Sequence, residues 1–201
     1  MSQTSDNNPV GRFVLKVLVW LPLAFLVWYM LAGPLLWPMR PLLDFGFGSL
    51  SQLVDHVRLV HGQFIFETTL EVKAPDGRTG LAVVEVNALK YTYNLPLLVA
   101  LLYAASDKYF TFTRLAAIYL LLLPFQIWGV SFDFLSQLVF HAGPDVARQV
   151  GIEGLGRELV ALGYQFGYLM LPPISAAAIW FLLNRDFVLE LLGMPPDGED
   201  R

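Results

Sequence analysis

From Leu115 to Val130 the chain runs without a charged residue, and from Leu159 to Leu183 it does so again, around the pair Pro172-Pro173. Apolar runs of that kind are able to cross the roughly 30 Å of bilayer hydrocarbon as helices. In lipid every backbone N–H and C=O must find its partner inside the segment, so helix is the conformation these runs must take. A third run, about Phe13 to Trp37, has Arg12 and Lys16 at its start and Pro22 and Pro34 within it. It is longer than a signal-peptide core, and Met30 stands where cleavage near Ala32-Gly33 would need a small residue, so it reads as an uncleaved anchor. Tyr91 to Ala105 is a marginal fourth span that must tilt, borrow residues at its ends or cross only in part. The Pro pair should kink the last span. The fold class expected is a membrane protein, mainly α, with about four transmembrane helices. A mean hydropathy of +0.55 is too high for an ordinary soluble domain.

Lys108 and Arg114 crowd the short second connection, Arg12 and Lys16 flank the first span, and Arg185 follows the last. Positive charge in short loops marks the cytoplasmic side. Four units follow: a cytoplasmic tail and anchor over 1–37, an exported platform over 38–90, a three-helix membrane region over 91–183 with an exported loop at 131–158, and a cytoplasmic tail over 184–201. The last of these ends in "GMPPDGEDR", polar and expected to be disordered. A net charge of −4 offers no basic footprint for nucleic acid. The absence of cysteine excludes thiolate catalysis and disulfides within this chain.

The stretch "QFIFETTLEVK" alternates Phe64, Phe66, Thr68, Leu70 and Val72 with polar residues, broken by Ile65, which reads as a strand with one apolar face. "APDGR" at Ala74 to Arg78 reads as the turn of a β-hairpin. Setting Ala74 opposite Arg78 pairs Leu70 with Ala82, Thr68 with Val84, and Phe66 with Val86, so that both strands share one apolar face. The interaction surface expected from this is Phe64, Phe66, Leu70, Val84 and Val86. The same register sets Glu67 opposite Glu85, two carboxylates that either splay into solvent or mark a metal or proton site. Before the hairpin, Leu50, Leu53, Val54, Val57 and Val60 recur at helical spacing behind a capping box of Ser49 and Gln52, which predicts an amphipathic helix lying on the hairpin or in the interface.

His56, His61 and His141 are too scattered for a local metal site, and no metal or cofactor is expected. Ser51, Asp55 and His56 carry the residue types of a serine triad, but one helical stretch does not arrange them as a relay. The spans are poor in ionisable residues: Asp133 stands just past the third, and Gln126 and Gln165 are the polar residues at depth, which argues against a transporter. Gly163 and Gly167 form a GxxxG on the last span that serves either a partner interface or internal packing.

The layout of anchor, exported platform, "NALKYTYNLPLLVALLYA" at Asn87 to Ala104, the basic turn "SDKYFTFTR" and two further spans resembles the exosortase H-associated membrane proteins of bacteria. The resemblance implies a protein of the bacterial inner membrane that accompanies an exosortase, a membrane transpeptidase acting on proteins with a C-terminal sorting signal. Those enzymes use a Cys, which this chain lacks. The function expected is therefore a non-catalytic accessory protein, with exosortase, signal-bearing substrate proteins and membrane lipid as partners. A membrane-surface enzyme using Glu67, Glu85 and a histidine is the alternative, and a transporter subunit is disfavoured.

Overall fold

The computed structural model describes residues 9–73, 78–105 and 111–191. The turn expected at Ala74 to Arg78 lies outside them but for Arg78, as does the tail from Gly193. Helix α1 (Pro9–Met30) is followed by two short helices, α2 (Ala32–Leu36) and α3 (Met39–Leu43), and by a wide π-helical turn, Asp44–Leu50. Strands β1 (Val54–Val60), β2 (Gln63–Lys73) and β3 (Thr79–Asn87) come next. The chain then enters α4 (Leu89–Thr92) and α5 (Asn94–Ala105), and continues through α6 (Phe112–Ser136), α7 (Pro144–Val150), α8 (Leu155–Gln165), α9 (Leu171–Leu183) and α10 (Arg185–Leu191).

Among the described residues three helical stretches are long and apolar enough to cross a membrane: Val10–Met30, Thr113–His141 and Leu155–Leu183. The expected span at Tyr91 to Ala105 does not reach that length within the described residues. Its helix, α5, has 12 residues, about 18 Å at a rise of about 1.5 Å per residue. It sits inside the helix bundle, where Leu98 and Leu102 pack with Ile118, Leu122, Ala176 and Ile179. At Pro172-Pro173 the helix does not run through regularly. A π turn, Phe166–Met170, widens it just before the prolines, which accommodates two residues that cannot donate to the preceding turn.

The segment expected to be a helix near Leu50 to Val60 is a strand instead, and the sheet has three strands in the order β1-β2-β3, not two. A bulge between Val54 and His56 is the reason for the misreading. It inserts one residue, so Val54 and Val57 both point inward three positions apart, and a bulged strand imitates helical spacing. Gln52 (φ 55°) ends the preceding turn, and His61 and Gly62, both at positive φ, close a two-residue hairpin between β1 and β2.

The register of β2 on β3 also departs from expectation. Near the turn it is as anticipated, with Glu71 opposite Leu81 and Lys73 opposite Thr79, but past an irregularity between Glu67 and Glu71 it slips by two residues, setting Phe66 opposite Val84. The Thr68 hydroxyl fills the gap, donating to the Ala82 carbonyl at 2.7 Å and accepting from the Leu70 N–H at 3.3 Å. A slip of two keeps every side chain on its face.

The apolar face is covered by α6 and α7 together with the short helices α2 and α3, through Leu36, Met39, Leu43, Phe134 and Val146, and not by a helix over Leu50 to Val60. Residues 131–141, expected as loop, continue α6 through Ser136 and a π turn at Gln137–His141. Phe134 stacks on Phe66 with ring centroids 4.3 Å apart, and Phe47 meets Phe134 at 4.7 Å. Behind them α6 and the last long helix meet over small residues. A Cβ at Gly163 would lie 2.2 Å from the Phe132 ring, Gly167 faces Gly129 and Trp128, and the Trp128 indole donates to the Gly163 carbonyl at 3.2 Å. The Gly163/Gly167 face is thus occupied by internal packing. Gly163→Val should cost about 1–3 kcal/mol by overpacking and lower the melting temperature of the detergent-solubilised protein. Gly33→Ala, in open space within α2, should not lower that temperature.

Candidate functional site

The sheet and its attachment to the membrane helices make up the candidate site. β3 passes into α4 without a linker, and Tyr91 on α4 is 1% exposed. Its hydroxyl donates to Asp133 Oδ2 at 2.7 Å, while Gln137 Nε2 donates to Asp133 Oδ1 at 3.1 Å and to the Glu85 carbonyl at 2.9 Å. One carboxylate on α6 therefore holds α4 and, through Gln137, the end of β3. The Tyr91 ring lies flush against Gly129, where a Cβ would come within 2.3 Å of it. Burial, followed by the hydrogen bond to Asp133, raises the Tyr91 phenol above its ordinary range, so it remains the donor.

The five residues expected as an interaction surface, Phe64, Phe66, Leu70, Val84 and Val86, are all buried in the core under α6. They hold the sheet down and present nothing to a partner. Glu67 and Glu85 do not face one another, because the slipped register sets Glu67 opposite Val83 and Glu85 opposite Ile65. Glu67 pairs instead with Arg58 on β1, at 2.5 Å. What the opposite, solvent face of β3 offers is Leu81 and Val83, 60% and 56% exposed.

Beside β1 lies an open groove of about 580 Å³ whose lining includes Asp44, Gln52, Asp55, His56 and Thr69. His56 Nε2 is 2.8 Å from the Arg40 guanidinium, which can only donate, so that nitrogen is an acceptor already in use. His61 occupies the β1–β2 turn and His141 the end of the π turn after α6. Among the described residues no group of three or more His, Asp or Glu side chains is placed to hold a metal ion. Ser51 donates to the Phe47 carbonyl and does not approach His56 through any hydrogen bond.

Sequence reasoning missed the side chains that close the sheet's edges. Asp44 accepts from the Val57 N–H at 2.7 Å and Arg40 Nε donates to the Val57 carbonyl at 2.8 Å, which caps β1. Where β2 outruns β1, the Gln149 side-chain amide takes the place of a strand, accepting from the Glu71 N–H at 2.9 Å and donating to its carbonyl at 2.7 Å. Nothing in the local pattern marks an Arg, Asp or Gln as a cap, since each acts on backbone far away in sequence.

Deeper in the bundle, Gln126 donates to Asn94 at 2.9 Å, Asn94 to Ser175 at 3.2 Å, and Ser175 to the Pro172 carbonyl at 3.0 Å. This chain ties α5, α6 and α9 through buried side chains. Gln165, the other polar residue expected at depth, is exposed on α8.

Apolar helices of spanning length with a small antiparallel sheet packed against them define a helical membrane protein with a three-stranded sheet. Over residues 7–187 the sequence matches the family of exosortase H-associated membrane proteins, and the chain belongs to that family. No curated protein and no solved structure matches it.

Because Tyr91 and Gln137 share Asp133, loosening the joint should be felt in the sheet. Tyr91→Phe removes one donor from a buried carboxylate and should cost about 1–3 kcal/mol. Hydrogen exchange should show faster opening of β3 and α4 with α8 and α9 unchanged. Uniform protection across both regions would show that the joint does not carry the sheet.

Proposed function

We propose that this protein is a non-catalytic accessory subunit of an exosortase system. It holds its sheet at the outer membrane–water interface of the bacterial inner membrane, with both termini in the cytoplasm, for the exosortase or for the C-terminal signal of its substrate. Membership of the exosortase-associated family supports the partner. The single observation that carries the mechanism is the linker-free joint at Asp133, with Tyr91 and Gln137 donating to it. A domain joined in this way keeps a constant height and orientation over the helices, which suits a surface that must meet another membrane protein in register. Proximity and orientation are what such a subunit contributes.

Affinity purification of the tagged protein from its native host in mild detergent should recover an exosortase in near-equal amount. An Asp133→Ala variant that still inserts in the membrane should recover markedly less. If the protein comes down alone, or if the Asp133 variant recovers the enzyme as well as the natural chain, the reading fails.

A further inference from the structure

Two stretches of the sheet's edge, at Leu59 on β1 and at Leu81–Val83 on β3, have no side-chain cap among the described residues, and only the second is strongly exposed. In β3 the Glu85 carbonyl points away from β2, since it is Gln137 that donates to it. The Ala82 carbonyl points toward β2, where the Thr68 hydroxyl meets it, and the Ala88 N–H reaches Gly62 at the start of the same strand. Successive residues of a strand present their N–H and C=O to opposite sides. Leu81 and Val83 therefore direct both groups off the open edge, as Glu85 does. β1 is capped at Val57 and β2 beyond β1 is capped at Glu71. Among the described residues no side chain does the same for Leu81 or Val83.

Edge strands are ordinarily blunted by charge, proline or cover. Here Leu81 and Val83 instead add apolar side chains to an open ladder. Glu71 and Glu67 stand opposite them on β2, and Glu85 follows on β3, so the face is too acidic to rest in hydrocarbon. Glu67 is matched by Arg58, whereas Glu85 makes no ion pair among the described residues.

We infer that the Leu81–Val83 edge of β3 binds an extended polypeptide segment as a fourth, antiparallel strand, with apolar residues beside Leu81 and Val83 and a cationic side chain beside Glu85. Main-chain bonds supply affinity in such strand addition, and alternate side chains supply selectivity. The rest of the sheet is antiparallel, the more stable pairing per residue. A cation beside Glu85 answers its unmatched charge, and like charges set opposite one another across strands repel. A second copy of this chain does not suit the edge. Antiparallel pairing of two β3 strands would send the two α4–α5 segments, which follow β3 directly, off opposite ends of the joined sheet.

The test uses the full chain in detergent and a fluorescein-labelled heptapeptide, Thr-Arg-Thr-Val-Thr-Val-Thr, read by fluorescence anisotropy. Saturable binding is expected, with a peptide carrying Asp in place of Arg at least about tenfold weaker, as loss of one charged contact implies. Val83→Pro removes an N–H that makes no bond to β2, a placement proline tolerates at an edge. It should weaken binding at least about tenfold without changing the melting temperature. Glu85→Lys, which alters only a side chain, should invert the preference between the Arg and Asp peptides. Absence of saturable binding, or equal binding by the Val83→Pro and natural chains, would overturn the inference. So would a dimer that Val83→Pro converts to monomer, which would give the edge to a second copy. No exosortase enters this assay, so its failure leaves the accessory reading to be judged by co-purification alone.

Discussion

Asp133 is the point on which the architecture turns. It lies on a helix of spanning length, is 5% exposed, and receives hydrogen bonds from Tyr91 and Gln137. A carboxylate taken out of water is costly unless donors replace the lost hydration. These two donors belong to different parts of the fold: Tyr91 to the helix that follows the sheet, Gln137 to the turn that grips the end of β3. Satisfying the charge and fixing the sheet are thus the same event. With a hinged connection in place of α4, the three strands would have to stabilise themselves in water, which so small a sheet does poorly.

The remainder of the packing serves that joint. Gly129 leaves room for the Tyr91 ring on one side of α6, and on the other side it lies against Gly167. Without a hydrophobic drive between helices inside a bilayer, close approach over small residues is what holds them together. The Gln126–Asn94–Ser175 chain then fixes the rotation of α5 and α9 about α6. Above the joint the same α6 continues until Phe134 lies on Phe66. Membrane bundle and sheet core are successive stretches of one helix surface.

The apolar runs, the strands β2 and β3 and their shared apolar face were legible because each is a local period. What was not legible has physical reasons. The bulge at Val54–His56 converts a two-residue period into a three-residue one, so β1 resembled a helix. The slip past Thr68 moves the register by two, to which a period-two pattern is blind, and it separates Glu67 from Glu85. That the apolar face of β2 and β3 needs a cover was legible, but not which elements supply it, since α6 and α7 lie far along the chain. The continuation of α6 was hidden by Ser131 and Asp133, polar residues that look like the end of a span. Asp133 was noticed for its position, yet its partner Tyr91 is 42 residues away, beyond the reach of any local pattern. The GxxxG was legible as a motif, and only the Phe132 ring seated on Gly163 shows which surface it meets.

The caps on the sheet bear on which of its edges can meet another polypeptide. Val57 and Glu71 each have both backbone groups matched by a side chain drawn from another element, and the Glu85 carbonyl is matched by Gln137. An edge left open on a membrane protein is a template for any extended chain nearby, and extended chains are abundant where proteins emerge from a bilayer. Three side-chain systems suppress that hazard at three places, and none of them reaches the exposed Leu81–Val83 stretch of β3. The joint at Asp133 holds that half-strand at one height over the helices. A fixed height matters little for solvating a loop but decides which part of a membrane-tethered polypeptide the edge can reach. The joint and the open edge therefore belong to one device, in which the membrane sets the ruler and the strand reads against it.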